Sequence, residues 1–271
     1  MVAYSKTNDI DVVILCGGLG TRLSSILKGK PKGMVEIEGR PFLDILIEFI
    51  ASFGFRRFIL CVGHKGGYIK SYYTDKKDSL KYVYSMEPKP LGTAGAIKNA
   101  EPFVLSNPFM GFNGDSFCPA NLKNLLDFHI TNKLIASIVL TSKQEKGDYG
   151  SVQLNSKNEI VNFYEKDQFK SSNHTNAGIY VFNDEIFQHI PSDKNSSLEY
   201  DIFPNLIKKV QMNLLFYYLG LLPKNHSYDL LLGYLWFLLV HSNNNKLLLI
   251  LRLYQLKFPY FLYLKMEKIM K

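Results

Sequence analysis

A chain of 271 residues that is 46% hydrophobic and 21% charged suits one large α/β domain, or a domain with an appendage, and excludes an intrinsically disordered polymer. Its net charge of +8 is unevenly placed: residues 1–212 hold 25 Lys+Arg against 22 Asp+Glu, and residues 213–271 hold 7 against 2. A nucleic-acid binder would carry a basic stripe interleaved with aromatics on its folded part, and the chain shows none, so no nucleic-acid partner is expected.

The N-terminus, Met1 to Asp11, is polar and lacks the charged-then-apolar pattern of a secretion signal, which makes the cytoplasm the default compartment. The first strand is expected at Asp11–Cys16 (DVVILC), a continuous apolar run of the kind buried in a parallel sheet, and Gly17–Gly20 break it. After the GRPFLD turn, Phe42, Leu43, Leu46, Ile47 and Ile50 recur at helical spacing through Phe53, with Gly54 placed as a C-cap. Phe58–Val62 reads as a second buried strand, Tyr68–Tyr73 as a short helix and Lys81–Ser85 as a third strand. Ala94–Ala100 looks helical, and Phe109–Phe112 runs as a strand into Asn113-Gly114-Asp115.

Strand alternating with helix over this stretch predicts βαβ units, a mostly parallel Rossmann-like sheet and right-handed crossovers that put helices on both faces. Beyond Lys133 the pattern changes. Ile135–Thr141, Gly150–Leu154, Ile160–Glu165 and Gly178–Phe182 read as strands between polar turns, so the sheet should be mixed, with late antiparallel members. Domain one is therefore drawn over 1–212.

From Asn213 the composition departs from the rest: 19 of the last 59 residues are Leu, with no Ala and no Thr. Leu230–Val240 is too short for a bilayer span, so no membrane span is expected, although Lys beside aromatics would suit a membrane surface. The plainer reading of 213–271 is a tail not selected for this fold.

Cys16, Cys61 and Cys118 are widely spaced within apolar runs, as buried small hydrophobes are, and an odd count argues against a disulfide framework. His64, His129, His174 and His189 show no metal-ligand spacing, and Asp148 and Asp201 stay unassigned.

The chemistry concentrates in Leu15–Lys32, LCGGLGTRLSSILKGKPK. A buried strand ends in Gly17 and Gly18, and the chain continues through Gly20, Thr21 and Arg22 to Pro31-Lys32. Glycines let backbone N–H groups approach phosphate oxygens. Arg22 can give charge-assisted hydrogen bonds to phosphate, and Lys32 can act as a point charge. The spacing fits neither the full GxGxxG of the dinucleotide fold nor GxxxxGK[ST]; with no acidic residue clearly closing a second strand, a dehydrogenase reading weakens.

The whole string resembles the signature GGxGTRLxPxTxxxPKPM of the sugar-phosphate nucleotidyltransferases, matching at Gly17, Gly18, Gly20, Thr21, Arg22, Leu23, Pro31, Lys32 and Met34. It departs at Ser25, in a shortened polar stretch before Pro31, and at Gly33, where a second Pro is usual and whose replacement by Gly loosens the loop carrying Lys32. Three more segments follow in the family's order. Glu87–Ala96 (EPKPLGTAGA) resembles the loop that cradles base and ribose, matching at Leu91, Gly92, Thr93, Ala94 and Gly95. Gly111–Phe117 (GFNGDSF) resembles the strand end whose Asp binds Mg²⁺, which gives Asp115 that role. Tyr164-Glu165-Lys166 and Asn176-Ala177-Gly178 resemble the sugar-phosphate site, with Glu165 accepting sugar hydroxyls, Lys166 meeting the phosphate, and Asn176, Gly178 and Gly150 lining the pocket.

Each segment taken alone has a plainer reading: Asp115 as a turn or N-cap residue, Glu165 and Lys166 as a solvated pair, Asn176-Ala177-Gly178 as a turn. Their joint order carries the assignment.

The resemblance spans Asp11 to Lys209. The later Phe/Trp-x-Asp-x-Gly-Thr-Pro segment, whose Asp is the family's second metal ligand, has no counterpart, since Asp229 stands in unmatched surroundings. The resemblance implies the nucleotide-diphospho-sugar transferase fold and an Mg²⁺-dependent reaction between a nucleoside triphosphate and a sugar 1-phosphate. The sugar-phosphate oxygen attacks the α-phosphorus in line and pyrophosphate leaves, without a protein nucleophile. Leu15, Gly17, Gly18, Gly20, Thr21, Gly92 and Thr93 would hold the nucleotide, Arg22 its β and γ phosphates, and Lys32 the charge of the transition state.

Within the family, KPKGMVEIEGRPFLD looks like the branch that transfers guanylyl (from GTP) to D-glycero-D-manno-heptose 1-phosphate or mannose 1-phosphate, serving surface polysaccharide synthesis. Heptose is favoured, with mannose guanylyl and glucose thymidylyl transfer open. A reading of another class makes the chain a nucleotide-binding remnant that does not turn over. A homo-oligomer is open.

Overall fold

A computed structural model describes residues 6–18, 29–142, 151–155, 160–164, 174–209 and 215–218. The elements follow the apolar runs. Strand β1 (Asp11–Leu15) is followed by the short pair β2 (Glu36–Ile37) and β3 (Arg40–Pro41), then helix α1 (Phe42–Ser52) and β4 (Arg57–Val62). Next come α2 (Gly66–Thr74), β5 (Lys81–Met86), α3 (Gly92–Ala100), β6 (Phe109–Asn113) and α4 (Leu122–Asn132). The later part holds β7 (Ala136–Ser142), β8 (Ser151–Leu154), β9 (Ile160–Tyr164), β10 (His174–Phe182), α5 (Phe203–Lys209) and β11 (Leu215–Tyr218).

The main sheet runs in the order β11-β7-β10-β6-β1-β4-β5, with β8 paired to β10 and β9 to β8. Strands β5, β4, β1 and β6 are mutually parallel, while β10 is antiparallel to both β6 and β7. The expected mixed sheet is thus present, and its antiparallel strands come late. Period-2 alternation feeds two cores. Val12, Ile14, Phe58, Leu60, Met110 and Phe112 point to the face covered by α1, α2 and α4. Val13, Ile59, Cys61 and Phe109 point to the face covered by α3 and α5. Each such side chain, buried on leaving water, contributes about 1.5–3 kcal/mol, which is why both faces must be roofed. All three cysteines are buried thiols.

Three differences from the expected elements have local causes. Helix α4 is missing from the sequence reading, although Leu122, Leu125, Leu126 and His129 line its buried side and Asn121 caps it by accepting from the Asn124 N–H at 3.1 Å. Strand β10 begins at His174, four residues before the expected Gly178. A register shift between Asn176 and Tyr180 lets the strand run through what reads locally as a turn. Leu215–Tyr218, inside the Leu-rich tail, joins the sheet parallel to β7, so the sheet itself extends past residue 212. The Gly54 stop holds: it sits at φ +100° and its N–H bonds the Ala51 carbonyl at 2.9 Å.

Among the described residues, no helix is long and apolar enough to cross a membrane.

Candidate active site

Because β1, β4, β5 and β6 are parallel, their carboxyl ends open on one edge, and antiparallel β10 brings its own beginning there. The chain leaves β1 toward β4 and returns to β6 on the other side, so the strand order reverses between β1 and β6. Ligands of open α/β sheets bind in the crevice that such a reversal makes.

Of the residues singled out from sequence, the described ones, Leu15, Gly17, Gly18, Lys32, Gly92, Thr93, Asp115, Asn176 and Gly178, stand at or beside this edge. After Leu15, the Cys16 N–H bonds the Cys61 carbonyl at 2.8 Å, which carries the β1–β4 pairing up to Gly17 and Gly18. A Cβ on Gly17 would press on the Glu87 carboxylate and lie 3.3 Å from the Gly63 nitrogen, so a larger residue here would have to displace the Glu87 side chain. Gly18 faces open space. From β6, the Gly114 N–H bonds the Leu15 carbonyl at 3.0 Å, and Asp115 follows at the strand's mouth.

Lys32 lies 83 residues away in sequence, yet its Nζ donates to Asp115 Oδ2 at 2.5 Å, with the two side chains 23% and 29% exposed. A cation therefore already stands on the carboxylate. The two motifs meet.

The Gly33 departure has a structural reading. Lys32–Met34 form a single 3₁₀ turn, Gly33 is buried, and a Cβ there would sit 3.3 Å from the Gly114 carbonyl oxygen. Lys32 is thus anchored by close contact between its turn and the Asp115 loop.

In the loop that the resemblance assigns to base and ribose, Gly92 opens α3 at φ +74°, a left-handed backbone that glycine tolerates. A Cβ there would strike the Ser196 carbonyl, which accepts from the Ala94 N–H at 3.0 Å. The Thr93 hydroxyl donates to Glu199 Oε2 at 3.1 Å and accepts from the Leu198 N–H at 2.8 Å. In the segment that the resemblance assigns to the sugar phosphate, Asn176 Oδ1 accepts from the Gly178 N–H at 2.9 Å. Gly178, at φ +75°, packs so closely on Asn113 that a Cβ would come within 2.7 Å of its side-chain amide nitrogen.

Two carboxylates of this edge were missed from sequence. Glu87 is half-buried, takes the Leu91 N–H on Oε2 at 3.3 Å, and burial pushes its carboxyl above the usual carboxylate range, the Leu91 bond acting against that shift. Its other oxygen accepts no hydrogen bond from another described residue. Glu199 accepts from Thr93, Ser197, Tyr180 and Asn176. The signal for Glu87 was its place at the head of EPKPLGTAGA; for Glu199 it was a Ser N-cap, Ser197, followed by acidic residues in the first turn.

Gly20, Thr21 and Arg22, and Gly150, Glu165 and Lys166, lie outside the described residues.

The nucleotidyl transferase family matches residues 11–220, and the chain belongs to that family. It is 36% identical over 193 residues to the D-glycero-alpha-D-manno-heptose 1-phosphate guanylyltransferase of Campylobacter jejuni, covering 70% of this chain and 83% of that protein. It is 34% identical over 202 residues to the mannose-1-phosphate guanylyltransferase of Mycobacterium tuberculosis, covering 74% of this chain but 56% of that longer protein. The crystal structure of HddC from Yersinia pseudotuberculosis superposes with a TM-score of 0.67 at 33% identity, over 77% of this chain and 90% of that one. A putative glucose-1-phosphate thymidylyltransferase from Bacillus anthracis, 20% identical with a TM-score of 0.66, shares the fold.

Proposed function

We propose that the chain transfers a guanylyl group from GTP to a sugar 1-phosphate, with heptose 1-phosphate as acceptor, and releases pyrophosphate. The observation that carries the reading is the meeting of Lys32 and Asp115 in the crevice between β1 and β6. In-line substitution at the α-phosphorus needs no protein nucleophile, only positioning and neutralisation of charge. Lys32 supplies a fixed ammonium toward the nucleotide phosphates. Asp115 is the carboxylate that would hold Mg²⁺, and one carboxylate suffices for an ion that completes its octahedron with phosphate and water oxygens. When bound, the ion would neutralise charge on the phosphates. Arg22 would hold the β and γ phosphates, and Glu165 and Lys166 the sugar phosphate.

The base and the sugar rest on two supports. The Campylobacter relative is named for guanylyl transfer to a heptose phosphate, and a second structure of the Yersinia protein holds GMP-PN at 33% identity to this chain. Glu87 adds a chemical one. An ionised carboxylate only accepts hydrogen bonds, and the pairing edge of guanine offers neighbouring N–H donors. A half-buried carboxylate with one oxygen still short of a donor suits that edge and opposes bases that present acceptors there. The product, a nucleotide-activated sugar, would serve surface polysaccharide synthesis in the cytoplasm.

The test is pyrophosphate release by the full chain with Mg²⁺, each nucleoside triphosphate being tried against heptose, mannose and glucose 1-phosphates. Release with GTP and heptose 1-phosphate is expected. Release with dTTP alone would overturn the base, and mannose alone the sugar. No release with any pair, together with nucleotide binding, would replace the proposal by a binding remnant.

A further inference from the structure

Glu199 is a heavily bonded carboxylate at the site edge, and the four side chains that donate to it are all neutral. Oε2 accepts from the hydroxyls of Thr93 at 3.1 Å and Ser197 at 2.9 Å, and Oε1 from the Tyr180 hydroxyl at 2.9 Å and the Asn176 amide at 3.2 Å. Two oxygens offer about four acceptor positions, so protein donors fill them all. A carboxylate so occupied has no lone pair left for a substrate hydroxyl. What it can do is hold.

The groups it holds belong to different subsites. Thr93 is the second residue of α3, directly after left-handed Gly92, in the loop assigned to base and ribose. The same loop is strapped from outside by Ser196, whose N–H bonds the Leu91 carbonyl at 2.8 Å and whose carbonyl accepts from Ala94. Asn176 and Tyr180 belong to β10, on the sugar side, and the Asn176 amide also donates to the Tyr180 hydroxyl at 2.8 Å. Asn176 Oδ1 in turn fixes the Gly178 N–H at the register shift, and Gly178 rests on Asn113, two residues before Asp115. Glu199 thus links the α3 loop to β10 directly through its hydrogen bonds to Thr93 on one side and to Asn176 and Tyr180 on the other.

We propose that Glu199 is a positioning residue that couples the two substrate subsites, so that nucleotide bound at the α3 loop raises the affinity of the β10 side for the sugar 1-phosphate. The proposal rests on the two-substrate reading above. Coupling of this kind is reciprocal and is a difference between two affinities, which separates it from mere structural support: a structural residue would alter melting or single-ligand binding and leave the ratio alone.

The experiment is calorimetric titration of the full chain with heptose 1-phosphate, with and without saturating Mg²⁺ and a non-hydrolysable GTP analogue. In the parent chain the analogue should tighten sugar-phosphate binding about tenfold. In Glu199→Gln one acceptor oxygen becomes a donor and one arm of the clamp is lost, so the tightening should fall below about twofold while binding of either ligand alone persists. Tyr180→Phe, which keeps the buried ring and removes only the hydroxyl, should reduce the tightening in the same direction and serves if the first variant does not fold. Full tightening in either folded variant, or none in the parent chain when both ligands bind, overturns the coupling. Failure of the parent chain to bind the analogue or any sugar phosphate overturns the two-substrate reading instead.

Discussion

The two edges of the sheet each carry a short carboxylate–cation pair, and they put it to opposite uses. At the amino edge, Arg57 Nη1 donates to Asp11 Oδ1 at 2.5 Å, with the side chains 16% and 3% exposed. The other Asp11 oxygen accepts from the N–H groups of Leu105 at 2.5 Å and Ser106 at 3.1 Å. At the carboxyl edge, Lys32 and Asp115 make a pair of the same length with far more water around them. One pair closes a loop onto the start of β1 and has no room for a ligand. The other stands at the mouth of the crevice. Length does not distinguish them, but the exposure of the carboxylates does, 3% for Asp11 and 29% for Asp115.

The largest effect is expected from Lys32→Ala. Loss of the fixed ammonium should lower turnover by about 10²–10³-fold, the scale of removing one preorganised transition-state contact. The melting temperature should barely move, since partly exposed pairs add little to stability. Steady-state kinetics beside thermal melts check this, and unchanged turnover would remove Lys32 from the chemistry.

Asp11→Ala should do the reverse. It strands a buried guanidinium and two backbone N–H groups, a loss of about 3–5 kcal/mol in unfolding free energy. Turnover per folded molecule should stay within about twofold, because the change lies across the sheet from the crevice. Urea unfolding measures the first quantity. A fall in turnover without loss of stability would erase the contrast between the edges.

A smaller effect sharpens the comparison at the amino edge. His129 on α4 is buried between Ser137, whose hydroxyl lies 2.8 Å from Nδ1, and Asn183, whose Oδ1 lies 3.3 Å from Nε2. A neutral ring with Nε2–H donating to Asn183 satisfies both. Burial pushes its pKa down to about 4, with the Asn183 bond acting against the shift. The unfolded chain then takes up the proton first, so stability present above about pH 6.5 is lost as pH falls toward 4. The loss from this group is about 2 kcal/mol between neutral pH and about pH 5. Urea unfolding at the two pH values should show a shallower dependence in His129→Gln, and an equal dependence would assign the acid sensitivity elsewhere.

Much of the fold was readable because it lies in local patterns. The apolar runs at β1, β4, β5 and β6, separated by helical periodicity, specify buried parallel strands whatever surrounds them. The Gly-rich string ending in Lys32 and the FNGDSF strand end identified both partners of the site pair without revealing that they touch. Helix α4 was passed over because its run is short and mixed, and only packing shows that Leu122, Leu125, Leu126 and His129 form one face. The start of β10 was misplaced because Asn-Ala-Gly looks like a turn to any local reading.

The sequence by itself determined the family, the mixed sheet and the candidate residues Lys32, Asp115, Asn176 and Gly178, because strand burial and glycine-rich loops leave marks over a few neighbouring positions. It took the packed fold to show that Lys32 meets Asp115 across 83 residues, that Gly17 packs against the Glu87 carboxylate, and that Glu199 joins Thr93 to Asn176. Such contacts depend on strand order and register, which no local stretch of chain encodes, and they exist only once both faces of the sheet are packed.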